Sequence, residues 1–134
     1  MENYFSPVLS DDAVRALSSL GLAHVGDAVY ELLVRTRLAL EGKATGRGLH
    51  EAAVALVRAE AQAAGAARIR PALTEEELAV FRRGRNAHPH TVPAHASRAQ
   101  YAEATALEAL FGWLYLTGRR ERANELFALI MEEV

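Results

Sequence analysis

The chain has no cysteine, which excludes a disulfide framework and any thiolate-bound metal. Aromatic residues are scarce, at 7%, and no stretch alternates apolar and polar residues as a half-buried strand would. No uncharged run approaches the ~20 residues that cross a bilayer. The opening MENYFSPVLSDD carries acids where a secretory leader needs bases, so a cytoplasmic protein without a signal peptide is expected. A basic excess is also missing: the formal net charge is -2, without the global footprint of a nucleic-acid binder. Lysine itself is almost absent, with Lys43 the only one among 15 basic residues.

What is present is alanine, arginine and helical spacing. With 134 residues, 51% of them hydrophobic, residues 1–134 are expected to form a single domain around one core. Arginines gather locally: Arg35 with Arg37, Arg68 with Arg70, then Arg82, Arg83 and Arg85, then Arg119, Arg120 and Arg122. The planar guanidinium fork suits phosphate contact. The competing reading is a set of solvated helix faces balanced by neighbouring Glu.

The spacing predicts an all-α bundle. A first helix is expected from Ser10 to Gly21, a second from Leu22 to Leu40 and a third over GLHEAAVALVRAEAQAAG, followed by a piece interrupted at Pro71. Thr74 with Glu77, and Ser97 with Gln100, form capping boxes that open two more helices. HPHTVPAHA, with two prolines and three histidines, reads as a loop. A last amphipathic helix carries Ala123, Leu126, Phe127, Ile130, Met131 and Val134.

Two acids interrupt apolar helices. Gly26-Asp27 lies inside LAHVGDAVYELLVRTRLALEG, and Glu108 inside YAEATALEALFGWLYLTG, one turn before Gly112. A glycine within a helix costs about 1 kcal/mol against alanine, and a buried carboxylate needs a cation or strong donors. Pairing of each acid with an arginine is one account. Two such acids, each beside a glycine, favour a shared divalent ion, and Mg²⁺ takes oxygen ligands while keeping several waters. Glu31 is one turn from Asp27 on the same face. A histidine zinc site is the weaker reading: His88, His90 and His95 share a loop without thiols, while His24 and His50 lie on separate helices.

VGDAVYE followed far downstream by ALEALFGWLYL resembles the ribonuclease III catalytic domain, whose signatures have the form LEFLGDAV and FEALLGALYL. Within that family the chain is similar to the Mini-III ribonucleases, which consist of the catalytic domain with no double-stranded-RNA-binding domain. Their LAYIGDA matches LAHVGDA here, and RRGRNA and the wording around Glu108 match as well. The resemblance runs from Leu22 to the C-terminus. It implies a homodimeric, all-α endonuclease that cuts double-stranded RNA with Mg²⁺, Mn²⁺ substituting, and leaves a 5′ phosphate and a 3′ hydroxyl. It further implies trimming of a large-subunit (23S) ribosomal RNA precursor.

Carried onto this chain, Asp27 and Glu108 take the places of the family's essential aspartate and glutamate, as catalytic and metal-holding residues. The longer members of the family have two further acids, at positions that are Ala23 and Thr105 here. Mini-III enzymes lack them too, which leaves water or Glu31 to complete the metal's shell. Arg82, Arg83, Arg85, Asn86 and His88 are expected to grip the RNA backbone. His24 replaces a usual tyrosine, and His88 and Ala94 replace loop lysines, so that grip is expected to depend on pH near the histidine pKa of ~6.5. The alternative is a catalytically inactive relative that binds structured RNA in a ribosomal particle; such a module has no need of Asp27 and Glu108 together.

Overall fold

A computed structural model describes residues 1–42, 46–87 and 97–132. Within them the chain is helical, with α1 at Asp11–Arg15, α2 at Ser19–Leu40, α3 at Gly46–Val57 and α4 at Ala59–Ile69. A 3₁₀ turn at Arg70–Ala72 leads to α5 at Glu75–Arg85, α6 at Arg98–Leu116 and α7 at Arg120–Met131. No strand occurs among the described residues, as the all-α expectation requires. None of the helices is long and apolar enough to cross a membrane.

Both capping boxes form. Thr74 accepts from the Glu77 backbone at 3.1 Å while the Glu77 carboxylate accepts from the Thr74 backbone at 2.9 Å. Ser97 and Gln100 repeat the exchange at the start of α6. Other boundaries differ from expectation. The first helix stops at Arg15, and α2 begins before Gly21, because Ser18 caps the Gly21 N–H at 2.9 Å. The expected third helix is two helices, broken where Arg58 takes an extended backbone (φ -66, ψ 157). The histidine loop, 88–96, lies outside the described residues.

The core is organised around α6. Ten of its nineteen residues are buried, on several sides of the helix, and it packs most extensively against α2, then α5 and α4, with α7 beyond. Tyr30 from α2 fits edge-on between Phe111 and Phe127, at 5.3 and 5.5 Å between ring centroids. Gly84 lets α5 close on α6: a Cβ there would lie 2.8 Å from that of Ala109. The packed centre therefore fixes α6 relative to three neighbours, and the acid it carries is fixed with it.

Candidate active site

The two helices with embedded acids cross at their glycines. A Cβ on Gly26 would fall 1.6 Å from the Glu108 carbonyl oxygen, and one on Gly112 would fall 2.0 Å from the Leu22 carbonyl oxygen. No side chain fits in either place, so backbone rests on backbone. This explains why α2 tolerates a glycine that costs about 1 kcal/mol in helix propensity. Asp27 follows Gly26 and Glu108 precedes Gly112 by one turn, so the crossing brings their carboxyl groups together.

The pair is electrostatically strained. Asp27 is exposed and Glu108 half-buried. Burial pushes the Glu108 carboxyl up to about 8, and the negative charge of Asp27 and a hydrogen bond between the two carboxyls push the same way. With its carboxyl at about 8, Glu108 keeps its proton at neutral pH in the absence of a cation. A cation would take that proton's place, with coupled proton release.

The donor set fits a hard divalent ion: two carboxylates, no thiolate, and an exposed side at Asp27 where water can complete the shell. Among the described residues no group of three or more His, Asp or Glu is arranged to hold a metal. Asp27 and Glu108 are the pair that would hold such an ion. Glu31 is not drawn into it: its carboxylate accepts from Arg35 at 2.7 Å, one turn along α2. Ala23 is buried against the core and Thr105 is buried on α6, so neither position adds an acid. Of the histidines, His24 is exposed on α2 and His50 lies on α3 beside a cavity lined by Arg35, Leu38 and Leu49.

Most of the clustered arginines have structural partners. Arg122 binds both carboxylate oxygens of Glu77 through Nε and Nη2, Arg119 covers the Trp113 ring at 4.4 Å, and Arg70 covers Phe81 at 5.2 Å. Arg85 reaches across to Glu103 on α6 at 2.7 Å, and Arg70 approaches the same carboxylate at 3.6 Å. Arg82 and Arg83 are exposed and make no ion pair among the described residues. Asn86 caps the end of α5, also exposed, and His88 lies outside the described residues. The sequence reading missed Gln62 on α4, which is 2% exposed. Its amide opposes the upward shift of the Glu108 carboxyl.

Comparison with known proteins identifies the family. Residues 20–119 match the model of the Ribonuclease III domain. A Mini-ribonuclease 3 of Symbiobacterium thermophilum is 49% identical over 110 residues, which cover 82% of this chain and 85% of that protein. A Mini-ribonuclease 3 of Thermoanaerobacter is 39% identical over 127 residues, covering 95% and 89%. A crystal structure of a Fusobacterium nucleatum protein superposes with a TM-score of 0.82 at 31% identity, covering 92% of this chain and 98% of that one.

Proposed function

Since the chain belongs to the ribonuclease III family and is a Mini-III endoribonuclease, we propose that it cuts double-stranded RNA with a divalent cation held by Asp27 and Glu108. The observation that carries this reading is the glycine-to-glycine crossing, which brings the helices of the two acids together and sets the charge of Asp27 against Glu108. When bound, the cation supplies Lewis-acid activation of water and neutralises charge that builds on the scissile phosphate. Mg²⁺ is the proposed ion, with Mn²⁺ able to substitute.

The chain's own groups divide the work. Asp27, at the exposed edge, meets solvent and the incoming phosphate, while Glu108 is held from behind by the core. Glu108 must give up its proton before it serves as a ligand, so cation binding and deprotonation are coupled. Arg82 and Arg83, at the C-terminal end of α5 and exposed without an ion pair among the described residues, are proposed to contact the RNA backbone, with Asn86 and His88 following them in the sequence. Arg85 is proposed to join them from a position fixed by Glu103. Recognition of an RNA duplex relies mostly on shape, phosphates and 2′-hydroxyls, which suits a few arginines better than a base-reading pocket.

A homodimer is part of the proposal. The outward face of α2 is apolar where it adjoins Asp27: Val25, Ala28, Val29 and Leu32 line a groove of about 440 Å³ with Tyr4, Phe5 and Tyr115. Leu32 is 58% exposed and Phe5 85%, more apolar surface than a lone chain gains from leaving wet. Isologous pairing through this face gives two acid pairs in one particle, one for each RNA strand. The proposed setting is cytoplasmic, with a 23S ribosomal RNA precursor as substrate.

Long duplex RNA incubated with the protein should be cut when Mg²⁺ is present and survive in EDTA. Sedimentation at working concentration should give twice the mass of the chain. Large-subunit RNA from cells lacking the protein should keep extended ends. Intact duplex in Mg²⁺ would remove the proposal.

A further inference from the structure

We infer that Arg70 and Arg85, drawn together by Glu103, form a phosphate contact for the RNA duplex away from the acid pair; this rests on the reading of the chain as a nuclease of double-stranded RNA. The three side chains come from three elements. Arg70 stands in the 3₁₀ turn after α4, Arg85 in the last turn of α5 and Glu103 in the second turn of α6. Both guanidiniums meet the same carboxylate oxygen, Oε1, with Arg85 Nε at 2.7 Å and Arg70 Nη1 at 3.6 Å. Arg70 is also set by packing, its guanidinium lying 5.2 Å from the centre of the buried Phe81 ring.

Charge does not close in this cluster. Two guanidiniums face one carboxylate, so one positive charge and most of the N–H donors are left over. Arg122 shows the opposite arrangement: it donates to both oxygens of Glu77, to Glu125 and to the Ala72 carbonyl. Among the described residues Arg85 donates through Nε alone and Arg70 makes no hydrogen bond. Their side chains stay 45% and 40% exposed, and ion pairs this open add little stability. Beside them lies a concavity of about 550 Å³ lined by Ala63, Ala67 and Pro71 with Arg70 and Glu103. Its small side chains leave room for a phosphodiester to reach the guanidiniums, whose planar forks suit phosphate oxygens. The neighbourhood is positive: Arg82 and Arg83 are exposed in the same last turn of α5, Arg98 is exposed where α6 begins, and that first turn holds no acid. Glu103 precedes Glu108 by five residues, about 7.5 Å along α6 and on another side of the helix. The phosphate met there is not the scissile one; a duplex carries others along both strands.

The test uses a fluorescein-labelled RNA duplex, its affinity for the full chain read by anisotropy in EDTA over a series of salt concentrations, so that neither cleavage nor metal enters. Arg70→Gln removes one charge. The expected result is weaker binding and a log–log salt slope lower by about 0.9. Arg70→Lys, which keeps the charge, should keep the slope. Arg122→Ala, which removes the same charge from the Glu77 pair, should keep it too. If Arg70→Gln fails to fold, Arg70→Met, whose unbranched stem still covers Phe81, carries the same expectation. A folded Arg70→Gln or Arg70→Met with the wild-type slope overturns the inference while leaving the nuclease reading intact. An equal fall in slope in Arg122→Ala also overturns it, because net charge alone would then be sensed. A wild-type protein that does not bind the duplex overturns the nuclease reading first, and the inference with it.

Discussion

Two glutamates on helices of this bundle, both withdrawn from full solvent exposure, behave in opposite ways. Glu77, at the start of α5, is buried, and the Arg122 guanidinium holds its carboxyl below the usual range. Glu108, in the middle of α6, meets Asp27 instead, and its carboxyl is pushed up to about 8. One acid is paired with a cation within the chain; the other faces a second acid and keeps its proton at neutral pH. Burial of a carboxylate is therefore no sign of function by itself. The sign is the identity of its nearest charged neighbour.

The comparison is broken most severely by removing the unsatisfied pair. Asp27→Asn or Glu108→Gln should cut the rate of duplex cleavage by about 10³-fold or more, and the double variant should be hardly worse, because residues acting through one ion are non-additive. Cleavage rates at saturating RNA check this, with helical circular dichroism confirming the fold. Gly26→Ala should strike both properties. Its Cβ lands on the Glu108 carbonyl, forcing α2 and α6 apart at a cost of about 3 kcal/mol or more. Urea unfolding should show that loss, and cleavage should fall even in the molecules that remain folded.

The satisfied pair should behave differently. Arg122→Ala strands Glu77 and should cost about 2 kcal/mol, below the range for fully buried pairs because Arg122 is partly exposed. Cleavage per folded molecule should survive. A variant that lost activity without losing stability would erase the distinction between the two glutamates.

How far the sequence alone leads can be judged on the same residues. The Thr74 and Ser97 capping boxes, the helical class and the Gly26-Asp27 defect are all local signals, and each is present as a local structure. The break at Arg58 has no Gly, Pro or side-chain cap to announce it; packing of α3 and α4 on different neighbours imposes it. That Gly26 and Gly112 meet each other is a tertiary fact, invisible in either helix alone. Gln62 had a faint signal, its place on the Gly65–Ala66–Ile69 stripe, but a glutamine among alanines also reads as a solvated face. The arginine clusters left two readings open in the sequence, and in the fold most of these arginines neutralise or stack on neighbours.

The opposite shifts of the two glutamates predict opposite pH slopes in metal-free protein. A lowered folded pKa means that Glu77 contributes stability above the ordinary carboxylate value of 4.5, lost as pH falls through its folded pKa. A raised one means the reverse. The contribution of Glu108 is fully present below 4.5 and is lost as pH rises to about 8. That loss should be on the order of 2 kcal/mol, less than the full conversion of the shift because the carboxyl is partly open to solvent. Glu108→Gln should abolish the fall between pH 5 and 8 in EDTA and melt higher at pH 8 than the parent. The smallest effect concerns the free arginines. Replacing Arg82 and Arg83 with alanine should weaken duplex binding and flatten the log–log salt dependence by about 0.9 for each phosphate that is no longer neutralised. The slope should stay unchanged in Arg122→Ala.

The central claim is that Glu108 gives up its proton when Asp27 and Glu108 take a divalent cation, and calorimetry reads that exchange directly. Mg²⁺ is titrated into metal-free protein at pH 7 in two buffers of different ionisation heat. With the Glu108 carboxyl at about 8, saturable binding should release close to one proton per chain, about 0.9, and Glu108→Gln should abolish both the binding and the release. Mg²⁺ binding without proton release, or binding that survives in Glu108→Gln, would contradict the account.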